Sequence, residues 1–158
     1  MRRLITLSIL AAALVVPASA QAVEEEVIEV VDPPSQSQLS GCRSVDVMRI
    51  GRTALGFVAY KFHHVKRWCW SFPRITSVSS SVYVSNVDPN YDYKGLVSAS
   101  GGYYTWCCGT TTSGHNSIRQ GRFDNCPVIL FSSCIRREYP WVRIWVHADG
   151  RYTYRTGL

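Results

Sequence analysis

Histidine is scarce, with four in 158 residues. The sequence also has no Gly-x-Ser-x-Gly elbow, no phosphate-cradling glycine loop, no calcium loop of the EF-hand type and no paired Cys-x-x-Cys or Cys/His finger pattern. Each of these motifs supplies groups at a spacing its chemistry needs, so their absence removes the sequence basis for nucleotide, calcium or zinc binding. No metal and no cofactor is expected. Only Leu4 to Val16 is a long apolar run, and it falls short of the ~20 residues that span a bilayer.

That run belongs to a three-part pattern: Arg2 and Arg3, then the apolar stretch, then Pro17-Ala18-Ser19-Ala20. The pattern predicts a secretory signal over 1–20, a secreted or extracellular location, and no transmembrane segment after processing. Cleavage after Ala20 and cleavage after Ala22 both satisfy the small-residue rule. Residues 21–40 read as an acidic, Pro/Ser/Gln-rich flexible leader, with Glu24, Glu25, Glu26, Glu29 and Asp32 and no basic residue. A short edge strand through Val27, Ile28, Val30 and Val31 is the alternative.

Charge is polarised by this division. The whole chain carries 17 basic and 11 acidic side chains, net +6. Without Arg2 and Arg3 the count is 15 against 11, and from Gly41 onward it is 15 against 6, or +9. A basic domain of this kind suits an anionic surface, but nothing in it is specific to nucleic acid.

Six cysteines (Cys42, Cys69, Cys107, Cys108, Cys126 and Cys134) remain after signal removal. An even number in an exported chain predicts disulfides, with connectivity open. Adjacent Cys107 and Cys108 would point to opposite sides of a strand and so take different partners. Cys69 with Cys134 is one pairing that would join an early strand to a late one.

From Gly41 to Leu158 the pattern predicts a single all-β domain, a disulfide-stabilised antiparallel β-sandwich, Ig-like or similar, with seven or more strands. Val58, Tyr60 and Phe62, then Trp68, Trp70 and Phe72, keep a period of two and fit two strands. Ile75 to Ser85, Tyr103 to Cys107 and Val128 to Ile135 supply others. The clearest is a terminal hairpin over Tyr139 to Tyr154, turning at Ala148-Asp149-Gly150. Val45 to Leu55 is the one helix candidate.

Two groups of residues are candidates for function. Val142, Ile144 and Val146 alternate with Trp141, Arg143, Trp145 and His147. If the aliphatic face is core, the tryptophans need a cover, which makes Trp141, Arg143, Trp145 and His147 binding candidates. The second group lies in Gly109 to Gly121, read as a polar loop, where Ser113, His115, Asn116 and Ser117 place hydroxyls beside a base. A hydrolase would need Asp88, Asp92 or Asp124 to approach His115. Adjacent His63 and His64 point apart in a strand and cannot share one shallow site.

Tyr93-Lys94-Gly95-Leu96-Val97, Tyr103 to Gly109, and Cys134 to Val146 with Tyr139-Pro140-Trp141 resemble small secreted all-β proteins of unknown function from actinomycete-type bacteria. The resemblance implies a secreted β-domain and assigns no activity. The function expected is a secreted, non-enzymatic β-domain with a structural or interaction role, its partner a protein, a second copy or an anionic cell-envelope surface. A small hydrolase using the His115 region, and a secreted inhibitor with a protruding Gly109 to Gly121 loop, are the alternatives.

Overall fold

A computed structural model describes residues 39–127 and 133–158. The expected signal, nearly all of the leader with its alternative edge strand, and residues 128–132 of the expected Val128 to Ile135 strand lie outside the described residues. The described chain contains eight strands and no helix: β1 (Ser40–Arg52), β2 (Val58–Ser71), β3 (Arg74–Ser85), β4 (Tyr91–Tyr104), β5 (Gly114–Asn125), β6 (Arg136–Glu138), β7 (Trp141–His147) and β8 (Tyr152–Gly157). All pairings are antiparallel. One sheet has the order β1-β2-β3, the other β4-β5-β7-β8, with β6 also on β5.

Strand β2 sets the geometry of the first sheet. Side chains alternate across a strand, so Tyr60, Phe62, His64, Lys66 and Trp68 share one face, and all five are essentially inaccessible. The expected division into two strands does not occur, because His64 and Lys66 continue the same phase between the aromatic pairs. The helix expected over Val45 to Leu55 is also absent. Val45 and Val47 are inward residues of β1, which pairs with β2 from Ser40 to Arg52. The turn that follows is closed by Gly56 N–H donating to the Thr53 carbonyl at 2.9 Å, with Gly56 at φ +85°.

The inward faces of both sheets form one hydrophobic cluster: Val45, Val47, Tyr60, Phe62 and Trp68 from the first, Phe123, Val142, Ile144 and Val146 from the second. Each such side chain contributes about 1.5–3 kcal/mol on burial. Tyr60 and Phe123 stack with ring centroids 3.7 Å apart, and Phe62 meets Phe123 edge-on. Gly121 lets Phe62 approach, since a Cβ there would lie 2.7 Å from the Phe62 ring. The Tyr60 hydroxyl donates to buried Glu138 at 2.6 Å, which carries β6 onto this cluster.

Disulfides join Cys42 to Cys69 and Cys126 to Cys134. The Cys69–Cys134 pairing is therefore corrected: Cys42 and Cys69 are direct register partners across β1 and β2, on the face away from the core. Cys107 and Cys108 are both free, so of the six disulfide candidates four are used. They lie in a turn rather than a strand, with Cys108 at φ +57°.

Candidate cationic cleft

The sequence expected a polar loop from Gly109 to Gly121, but its second half is the start of β5. Strand alternation turns His115, Ser117 and Arg119 towards the first sheet and Asn116 away from it. Ser113 precedes the strand and is fully buried. Its hydroxyl accepts from the Trp106 and Cys107 N–H groups at 2.7 and 3.0 Å and donates to the Thr110 carbonyl at 2.7 Å, fixing the turn. Of the four residues in that expected loop site, His115 and Ser117 share a cleft; Ser113 and Asn116 do not line it.

The cleft has a volume of about 400 Å³ and opens between β3 and β4, the edge strands of the two sheets. Lys66 and His115 line it with Ser80, Ser117 and Arg119. Its polar groups form a directed chain. The Lys66 ammonium can only donate, and it does so to Ser80 Oγ at 3.2 Å and to His115 Nδ1 at 3.0 Å. Ser80 donates to Ser117 Oγ at 3.4 Å, and Ser117 donates to His64 Nε2 at 3.2 Å. His64 Nδ1–H then donates to the Val142 carbonyl at 3.2 Å, which fixes its tautomer.

No carboxylate takes part in this chain, and among the described residues none pairs with Lys66 or Arg119. The Arg119 guanidinium donates instead to the carbonyls of Ser100 and Ile118 at 3.0 and 2.8 Å. Electrostatics follow from that composition. Burial, with the nearby Arg119 charge, pushes the Lys66 ammonium down to about 8. Burial with the Lys66 and Arg119 charges pushes His115 down to about 4. His64 is likewise lowered to about 4, chiefly by burial. At neutral pH both imidazoles are neutral while the two cations remain, so the cleft carries two positive charges with no counter-ion among the described residues.

The approach of Asp88, Asp92 or Asp124 to His115, which the hydrolase expectation required, is not found among the described residues. His115 faces Lys66, and Asp124 is held by Arg122 through bonds of 2.8 and 2.7 Å. Ser117 and His64 do form a hydroxyl–imidazole pair, but a base lowered to about 4 and held by a neutral carbonyl activates a hydroxyl weakly. The sequence singles out Lys66 only as a basic residue, with Lys61, Arg67 and Arg74, beside an aromatic block suited to an anionic surface, and not as a buried one. Its signal lay in the sequence, since it falls in phase with Tyr60, Phe62 and Trp68.

The second candidate group stays on the outer face of β7. Val142, Ile144 and Val146 are core, and Trp141 and Trp145 are half-buried. Their cover is local: Trp141 lies against Gly157, and the Arg143 guanidinium sits 5.5 Å from the Trp145 ring centroid. His147 packs on Trp106, with ring centroids 4.6 Å apart, and contacts the Tyr104 hydroxyl.

His63 and His64 point to opposite faces. On the outer face of the first sheet, His63 Nδ1 lies 3.0 Å from Asp46 Oδ2 and Nε2 lies 2.8 Å from Ser85 Oγ. No group of three or more metal-ligating side chains occurs among the described residues. No helix among them is long and apolar enough to cross a membrane. No protein family, curated protein or solved structure matches the chain.

Proposed function

We propose that the chain is a secreted β-domain, an Ig-like β-sandwich, whose role is to bind an anionic group through the cleft between β3 and β4. The reading rests on one observation: the buried Lys66 ammonium and the neighbouring Arg119 guanidinium face a cleft that, among the described residues, no carboxylate lines. Burying charge without a partner costs stability, and an anionic oxygen arriving from solvent offsets that cost while the surrounding serines donate or accept around it. The two disulfides fit an extracellular setting. The partner of this reading is an anionic cell-envelope surface carrying carboxylate or phosphate groups; a protein partner or a second copy of the chain would be recognised by other surfaces.

The inhibitor alternative called for a protruding Gly109 to Gly121 loop, of which only Gly109 to Ser113 remains outside β5. Isothermal titration of the oxidised chain with acetate and with inorganic phosphate tests the binding reading. Saturable binding to the wild type, lost in Lys66→Met, is expected. Equal heats for both proteins contradict it.

A further inference from the structure

The outer face of the first sheet carries a second polar constellation, separated from the cleft by the sheet itself. Asp46 on β1, His63 on β2 and Ser85 at the end of β3 are joined by two hydrogen bonds across three adjacent strands. The ionised Asp46 carboxylate only accepts, so His63 Nδ1 carries the proton and Nε2 accepts from the Ser85 hydroxyl. This is the order in which a nucleophile, a base and an orienting acid are connected in acyl-transfer sites.

Further contacts hold the arrangement. The Tyr83 hydroxyl donates to Asp46 Oδ2 at 2.5 Å, and the Tyr83 ring stacks on the His63 imidazole with centroids 4.0 Å apart and planes 13° from parallel. These hydrogen bonds lower the Asp46 carboxyl against the opposing effect of burial. The imidazole therefore has its plane set by the ring and its Nδ1 proton set by the acid. Ser85 is half-buried, and the chain turns immediately after it, with Asn86 in the left-handed region at φ +49°.

The surroundings bear on substrate class. The Asp88 N–H donates to the Ala59 carbonyl at 2.8 Å, which ties the segment after Ser85 to the start of β2. Exposed Phe57 and Val87 therefore adjoin the same end of the sheet as Ser85. Apolar side chains beside a nucleophile favour an apolar acyl group.

We propose that Ser85, His63 and Asp46 form a site for hydrolysis of esters of short apolar acids, an activity separate from anion binding in the cleft. Ser85 Oγ bonds to the ester carbonyl carbon while its proton passes to His63 Nε2. The bond to the alcohol then breaks, and His63 returns that proton to the departing oxygen, leaving acyl-Ser85. Water, with His63 again taking its proton, attacks the acyl carbon; the proton returns to Ser85 Oγ and the carboxylic acid leaves. Ser85 and His63 are catalytic residues in this scheme, and Asp46 and Tyr83 are positioning residues.

The test uses the full oxidised chain with a fluorophosphonate probe and p-nitrophenyl butyrate. The expected result is one phosphonyl adduct, mapped to Ser85 by peptide mass spectrometry, and ester turnover lost in both Ser85→Ala and His63→Gln. Asp46→Asn lowers kcat at least 100-fold with KM unchanged, a split that a merely structural role would not produce. Thermal melts establish that the variants fold, and Thr76→Ala, on the exposed side of β3, keeps the wild-type rate. No adduct, an adduct on another residue, or turnover unchanged in a folded Ser85→Ala protein overturns the proposal. Because Ser85 does not line the cleft, none of these outcomes bears on acetate or phosphate binding.

Discussion

Replacing Lys66 by methionine keeps an unbranched side chain, one heavy atom shorter, and removes the buried charge. In the folded chain the ammonium is lowered to about 8 from an unperturbed 10.5. That difference corresponds to about 3 kcal/mol of destabilisation at pH 7, where the unfolded chain holds its proton freely and the folded chain holds it in a desolvated position. Two hydrogen bonds from the charged ammonium, to Ser80 and His115, are lost in exchange, each worth about 1.5 kcal/mol or somewhat more. The two effects nearly cancel, so Lys66→Met is expected to match the wild type at pH 7 to within about 1 kcal/mol.

The sign also has a pH dependence. Between the folded and unfolded values the unfolded state binds more protons, so the wild type gains stability from Lys66 as pH rises from about 8 to 10.5. The variant therefore falls behind the wild type over the same window. Urea denaturation of both proteins at pH 7 and pH 10 measures this, and the tyrosines that also titrate at high pH cancel in the difference. A variant less stable by about 3 kcal/mol or more at pH 7, or a stability difference that does not change with pH, would refute the reasoning.

Other expectations follow from named contacts. His64 and His115, both lowered to about 4, bind fewer protons folded than unfolded below pH 6.5, so they contribute a loss of stability as pH falls from 6.5 towards 4; imidazole NMR titrations should find both neutral at pH 7. Thiol titration of the unreduced, unfolded protein should detect two thiols per chain, those of Cys107 and Cys108, and a count of zero or six would contradict the pairing. Changing Cys42 and Cys69 together to serine opens a loop of 27 residues and should cost about 3.5 kcal/mol in a chain-entropy estimate, read from the urea midpoint. Gly121→Ala brings a methyl to 2.7 Å from the Phe62 ring in a filled core and should cost about 1–3 kcal/mol, with the melting temperature falling accordingly.

The terminal hairpin was legible because Val142, Ile144 and Val146 alternate without interruption and an Asp-Gly turn follows; both strands are found where the pattern puts them. β2 was harder, since its middle residues are polar. Taking Val58 to Phe62 and Trp68 to Phe72 as separate runs suggested two strands, whereas following the phase through His64 and Lys66 gives one strand and places a lysine in the core. That in-phase lysine and the His115–Ser117 pair are the local signals of the cleft. The rest of the cleft depends on β3, β4 and β5 meeting at the sheet edges, which no single segment encodes. Likewise, Asp46, His63 and Ser85 are brought together by the registers of two pairings, and neighbouring residues in the chain give no hint of it. The Gly109 to Gly121 segment misled because hydroxyl-rich sequence commonly forms loops, while here His115, Ser117 and Arg119 line the cleft from a regular strand.

The central claim is that Lys66 is a buried cation with no carboxylate partner among the described residues, and that an anion completes it. NMR titration of its side-chain nitrogen, with and without saturating acetate, tests this directly. The account predicts a pKa near 8 in the free protein, rising when acetate is bound. A value in the ordinary lysine range that acetate does not move would contradict it.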